Sequence, residues 1–172
     1  MAKKFNTNSN AYIIVYSIVM VVVVATVLAV AALSLQSRQY ANELNEKKQS
    51  ILSSLGARDQ NYDAFIDAYV VDGEGNRLEG EEVFDLLKDL KGSFEAGKFP
   101  VFEAADGRVV LPVTGTGLWG PVWGYVALEK DMDTVSGIIM DHKGETPGLG
   151  AEIATPKYQS LFAGKRIFEG DE

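Results

Sequence analysis

The sequence predicts an α+β protein: one N-terminal transmembrane helix, then a mostly antiparallel sheet domain with flanking helices. Three observations carry this reading. Residues 11–35 form one uncharged apolar run, and a helix crossing a bilayer core needs ~20 apolar residues. From Phe99 to Met140, short β-branched and aromatic runs alternate with turns rich in Gly and Asp, as in hairpin-connected strands. Helical spacing of apolar residues is confined to stretches on either side of those strands.

Composition narrows the chemistry. The chain has 172 residues, no cysteine and a single histidine, His142. Disulfides, thiolate catalysis, cysteine-held zinc or iron–sulfur clusters and multi-histidine metal sites are therefore excluded. The formal net charge is −8, which argues against a nucleic-acid partner, because phosphate binding needs a basic face. No Asp or Glu precedes Glu43, while Lys3 and Lys4 do. Of 16 basic side chains, 14 therefore follow residue 35, against all 24 acidic ones, a net of −10. So acidic a surface repels anionic headgroups and points to a domain standing in water.

In chain order, residues 1–10 are expected to be cytoplasmic and residues 11–35 to span the membrane. Residues 36–60 are expected as a linker helix, and 61–172 as the domain on the far side. The run includes Val21 to Val24, poor in a water-exposed helix but ordinary in lipid. Tyr12 and Tyr16 sit where interfacial aromatics belong, and Lys3 and Lys4 outweigh Arg38, which places the N-terminus inside. The rival is a cleaved signal, for which Ala29-Val30-Ala31 offers a small-residue site; signal cores are shorter, ~7–15 residues. Tyr40, Leu44, Ile51, Leu52 and Leu55 repeat helically, with Gly56 as the stop. A short helix is expected within Asn61–Ala68, then a strand over Ala68–Val71 and a turn at Asp72–Asn76. Glu81–Lys91 is expected as a helix with Val83, Phe84, Leu86, Leu87 and Leu90 inward.

The strand section follows. Phe99–Ala105 and Arg108–Val113 should pair through the Asp106-Gly107 turn, with Pro112 marking an edge or bulge. Thr114–Gly117 reads as a turn, Leu118–Leu128 as a strand, Asp131–Asp133 as a turn and Thr134–Met140 as the returning strand. Thr155-Pro156 opens a helix through Tyr158, Leu161 and Phe162 that Gly164 ends, and Lys165–Phe168 starts a strand.

Two stretches are unlike the rest: Thr114 to Pro121, and Asp141 to Glu152 with Gly144, Pro147, Gly148 and Gly150. Neither fits a phosphate-loop pattern, no serine sits in a nucleophile elbow, and no twelve-residue calcium loop is present. If the two loops meet at one end of the sheet, backbone amides, Leu118, Trp119, Thr146 and Leu149 surround one place. Such a place suits a planar redox ring, held by apolar walls and tuned by backbone donors. Electron transfer needs no acid or base from the protein. The competing readings are a plain surface loop and tryptophans packed in a core.

The same residues carry a resemblance. Gly115 to Tyr125 and Asp141 to Glu152 resemble the C subunit of the sodium-translocating NADH:quinone oxidoreductase. The G subunit of the Rnf complex has the same loop type, but the tryptophan motif and the Lys3–Asn10 start are more similar to the former. The resemblance implies an FMN-binding fold on one transmembrane helix of the bacterial inner membrane, with its main domain in the periplasm. It implies electron transfer inside a multi-subunit complex that oxidises NADH, reduces ubiquinone and moves Na⁺ outward. By the match, Gly117, Leu118, Trp119, Glu145, Thr146, Leu149 and Gly150 line the flavin; no catalytic or metal residue is implied. The family's FMN is esterified to threonine by a flavin transferase, in a Ser-Gly-Ala-Thr-x-Ser/Thr motif. Here Ser136-Gly137-Ile138-Ile139 is only half of that motif and lies elsewhere, so no covalent FMN threonine is expected in this chain. The family's domain runs on past the position of Glu172, so the resemblance implies a domain lacking its C-terminal part. The alternative is a flavin-free, membrane-anchored interaction module of such a complex.

Overall fold

Helix α1 (Asn10–Ser54) runs without a break through the apolar stretch and the polar turns after it, in a computed structural model that describes residues 9–168. The expectations placed on residues 1–8 and on the acidic end 169–172 lie outside the described residues. The chain divides into two units, Met1–Glu43 and Leu44–Glu172.

In the first unit, large apolar side chains from Tyr12 to Leu35 are exposed, so nothing in the unit covers them. The helix is long and apolar enough to cross a membrane. Two of its hydroxyls are satisfied within the helix, as a lipid surround demands: Thr26 donates to the Val22 carbonyl at 2.7 Å and Ser34 to that of Ala31 at 2.8 Å. Ser9 Oγ accepts from the Tyr12 N–H and caps the first turn.

The second unit begins with the last turns of α1, where Ile51 and Leu52 are wholly buried. Burying each such side chain contributes roughly 1.5–3 kcal/mol. Gly56, at φ +66°, ends the helix in the left-handed region. The Gly56 N–H donates to Ser53 O and the Ala57 N–H to Leu52 O, which satisfies carbonyls the helix leaves open. Helix α2 (Tyr62–Phe65), capped by Asn61, leads directly into β1 (Ile66–Val71) and, past the Asp72 turn, β2 (Arg77–Leu78). Strand β1 starts two residues before its sequence signal, and the two-residue β2 has no sequence signal of its own. The helix expected over Glu81–Lys91 is broken. It consists of α3 (Val83–Leu86), a 3-10 turn over Leu87–Asp89 and α4 (Leu90–Glu95), which Asp89 caps by accepting from the Gly92 N–H. An aspartate that caps a new helix interrupts the old one.

Strands β3 (Phe99–Ala104), β4 (Val109–Thr116), β5 (Pro121–Leu128) and β6 (Val135–His142) complete one antiparallel sheet, in the order β2-β1-β3-β4-β5-β6. Strand β4 continues through Thr116, so the turn expected over Thr114–Gly117 moves to Gly117–Gly120, closed by the Gly117 N–H on Gly120 O. Leu118 and Trp119 therefore sit at a hairpin tip and not in a strand. Pro112 lies in an interior strand, yet β3 pairs only with Val109 and Val110. Beyond that point one side of β4 has no strand partner, and proline's missing N–H costs nothing there.

One face of the sheet carries the main core. Phe102 lies at its centre, with the Phe84 ring 5.9 Å away and the Tyr125 ring 6.3 Å away edge-on. Ile51, Leu52, Leu55, Tyr62 and Val110 close around them. A second cluster, Leu128, Val135 and Ile138 with Phe162 against it, holds the other face beside β6. Helix α5 (Pro156–Gln159) is capped by Thr155 but lasts one turn; Lys165–Phe168 forms only a single bridge, Arg166 opposite Thr134.

Candidate functional site

The site lies where the β4–β5 hairpin tip meets the loop after β6. Pairing of Val122 with His142 brings the two together, and the Lys143 N–H reaches Pro121 O at 3.1 Å. The strand ends at His142, and within the loop that follows Gly148 turns the chain at φ +74°. The 143–149 loop folds on itself: the Leu149 and Ala151 N–H groups both donate to Thr146 O. A short 3-10 turn (Gly150–Ala154) then leads to α5. Buried Gln159 ties this return to β6 by donating to Met140 O at 3.0 Å and Ile153 O at 3.3 Å. The sequence signals mark no such tie, since a glutamine in a short helix has no distinguishing pattern.

The structure brings the seven candidate residues into these two contiguous loops, but in two different roles. Leu118, Trp119 and Leu149 are 83%, 68% and 72% exposed. Large apolar side chains so open to water offer a candidate shelf to an apolar ligand or partner. Thr146 and Gly150 are also exposed beside it. Glu145 is the opposite, only 8% exposed. Its Oε1 accepts from the Trp119 N–H at 2.8 Å, and its own N–H donates to His142 Nδ1 at 3.2 Å. The accepting Nδ1 fixes the imidazole proton on Nε2 when His142 is neutral.

Two of the glycines leave room for the Glu145 carboxylate as it stands. A Cβ on Gly117 would lie 2.3 Å from Glu145 Oε1, and one on Gly150 would lie 2.4 Å from Oε2. Gly148 is the reverse case: its Cβ would meet nothing, and only its φ demands glycine. The expected cradle of free amides is partly spent. The N–H groups of Gly117, Trp119, Leu149 and Ala151 all serve the loops' own hydrogen bonds. Trp123 is half-exposed on β5 and Tyr125 is buried in the main core, so the tryptophan motif is divided between site and interior. Among the described residues no group of three or more His, Asp or Glu could hold a metal ion.

The Glu145 carboxylate is thus engaged by a backbone donor, and one His142 nitrogen, Nδ1, by the Glu145 N–H. Both glycine-rich loops fall inside residues 117–170, the stretch that the FMN-binding domain family matches. The C subunit of Na(+)-translocating NADH-quinone reductase from Neisseria meningitidis serogroup B is 31% identical, over 99% of this chain and 77% of the relative. The chain belongs to that family of C subunits, whose members are parts of an oxidoreductase complex. The crystal structure of the Parabacteroides distasonis C subunit matches with TM-score 0.69 and 38% identity, over 78% of this chain and 71% of that one. The Shewanella oneidensis NqrC structure, at 24% identity and TM-score 0.64, covers 75% of this chain and 73% of its own and shares the fold.

Proposed function

We propose that this chain carries FMN as an electron-transfer subunit of a sodium-translocating NADH-quinone reductase, anchored in the bacterial inner membrane by residues 11–35. The observation that carries it is the exposed shelf of Leu118, Trp119 and Leu149, inside the stretch that matches the FMN-binding family. The residues fit the group. A flat ring laid on three large apolar side chains removes from water the surface that the fold leaves open. Leu118, Trp119 and Leu149 would hold the ring, and Thr146 stands at the loop edge with a hydroxyl to offer. Gly117 and Gly150 keep the backbone free of side chains where the loops close. When bound, FMN supplies the electron-carrying chemistry, and the protein supplies position and a dry wall. The partners are the other subunits of the complex, and NADH, ubiquinone and Na⁺ belong to the assembly as a whole.

The domain is assigned to the periplasm, because Lys3 and Lys4 precede the apolar run and only Arg38 follows it closely. Within residues 1–172 no residue sits in the acceptor motif that the resemblance implies a flavin transferase reads, so the FMN contacts proposed for these residues are non-covalent.

The test is titration of FMN into the detergent-purified chain, followed by flavin fluorescence. Wild type should quench the flavin, and Leu118→Ser with Leu149→Ser should raise Kd by about tenfold or more. On a denaturing gel after co-expression with the transferase, no band at this chain's mass should fluoresce. Absence of quenching by wild type would leave the flavin-free interaction module as the reading.

A further inference from the structure

We infer that Glu145 is a positioning residue, whose carboxylate clamps the Trp119 hairpin to the loop after β6 and so builds the shelf. The ligand in this inference rests on the FMN reading above; the clamp itself belongs to the FMN-free chain. Three observations support it. Glu145 is 8% exposed among neighbours in the same loop that are open to water, so its side chain turns inward. Its Oε1 accepts the Trp119 N–H at 2.8 Å, a bond linking loops separated by 26 positions in sequence. Charge-assisted bonds of this kind are roughly twice as strong as neutral ones.

The glycines give the third observation. Gly117 faces one carboxylate oxygen and Gly150 the other, each closer than any Cβ allows. Neither has φ in the left-handed region; at Gly150 the close neighbours are all Glu145 atoms, and at Gly117 the Gly120 carbonyl, 3.0 Å from a Cβ, adds to them. Two loops thus each hold a residue without a side chain where the clamp passes. The clamp is oriented in turn by the Glu145 N–H on His142 Nδ1. With the carboxylate in place, the Trp119 N–H is held, and the loops that carry Leu118, Trp119 and Leu149 are tied together. Without it, the Trp119 N–H loses its acceptor and the hairpin tip is free to swing.

The test uses the full chain with Trp123→Phe, so that Trp119 is the one tryptophan. Fluorescence anisotropy of Trp119 is read in FMN-free protein, and Kd for FMN is read by flavin quenching. Glu145→Ala should lower the anisotropy toward that of a free loop and raise Kd about tenfold. Glu145→Gln keeps an oxygen for the Trp119 N–H and should stay within about threefold of wild type. Gly117→Ala displaces the carboxylate with Glu145 intact; it should reproduce Glu145→Ala, and the double variant should be no worse than either. Circular dichroism confirms that each variant is folded, and Gly117→Ala carries the test should Glu145→Ala fail to fold. Unchanged Trp119 anisotropy in folded Glu145→Ala overturns the clamp, and loss of FMN alone would then mark Glu145 as a direct flavin contact. Loosening of Trp119 by Glu145→Gln as much as by Glu145→Ala overturns the hydrogen-bond account. If wild type takes up no FMN but Glu145→Ala loosens Trp119, the clamp stands and the FMN reading falls.

Discussion

At the scale of single residues, glycine has two separate meanings in the site. Gly148 provides a left-handed turn in open space, while Gly117 and Gly150 provide room for Glu145. The two meanings predict different outcomes. Gly148→Ala should cost about 1–2 kcal/mol of stability, the cost of a left-handed backbone for an L-residue, with the shelf otherwise intact. Gly150→Ala adds no such strain, so it should leave stability nearer wild type and weaken FMN more. Thermal melts and FMN titration of the two variants separate the cases; equal loss of affinity would erase the distinction. A residue at the β5–β6 turn gives the pH response. Asp131 accepts from the N–H groups of Asp133 and Thr134 and from the Thr134 hydroxyl at 2.6 Å. The Thr134 hydroxyl first, then these amides, hold its carboxyl down from 3.8 to about 2. A carboxyl lowered in the folded state stabilises above its unfolded value, and that contribution disappears as pH falls through the folded one. Wild type should therefore melt higher than Asp131→Asn at neutral pH, and the gap should close between about pH 4 and pH 2. A gap that persists at pH 2 would show that the turn does not depend on this charge.

At the scale of elements, the end of α1 is fastened to the sheet from two sides. Arg108 donates from Nη1 to Leu55 O at 2.8 Å and to Ser136 Oγ at 3.0 Å, while Asp106 holds the rest of the guanidinium. This side chain completes the helix terminus, as a cation near the last carbonyls should. Opposite it, Gly137 allows the Ser54 carbonyl so close that a Cβ would lie 2.4 Å from it. Arg108→Ala should destabilise the domain by about 1–3 kcal/mol, because it leaves partly buried acceptors unpaired. Arg108→Lys should recover little, since an ammonium cannot fork between Asp106 and Leu55. Gly137→Ala should cost about 1–3 kcal/mol by pushing the helix end off β6. Urea unfolding of the three variants checks all of these, and a silent Gly137→Ala would mean that the helix end shifts freely. Gly56 announces itself as the stop through its place after the apolar repeat. Nothing local announces the role of Arg108 or Gly137 at the helix end, because the Leu55 and Ser54 carbonyls they meet lie more than fifty residues away in one case and more than eighty in the other.

At the scale of the whole molecule, orientation in the membrane is the open test. Charge about the apolar run predicts that a phosphatase fused after Phe168 is active and a cytoplasmic-type fluorescent reporter is dark. The opposite pair of results would reverse the topology and place the shelf in the cytoplasm. Legibility follows physical range. The apolar helix, the antiparallel strands from Phe99 on and the Asp106-Gly107 turn are readable because their causes are local: periodicity, β-branching and turn chemistry. The apolar spacing of Glu81–Lys91 is continuous but the helix is not, because Asp89 makes a capping bond that competes with it. The two glycines of Thr114–Gly117 signal a turn, yet eight cross-strand pairs with β5 keep β4 extended through Thr116.

Composition and spacing alone specify one long apolar helix, an acidic sheet domain after it and two glycine-rich loops bracketing the tryptophan motif. Each of these has causes that act over a few residues. Which loop residues are open and which are buried was settled only by the folded arrangement: Leu118, Trp119 and Leu149 are exposed and Glu145 is buried on the Trp119 N–H. The same arrangement settles which glycines answer to backbone angle and which to a neighbour. The reason is that a side chain's role is set by what lies across from it, and the residues across from these are supplied by strand pairing between distant segments.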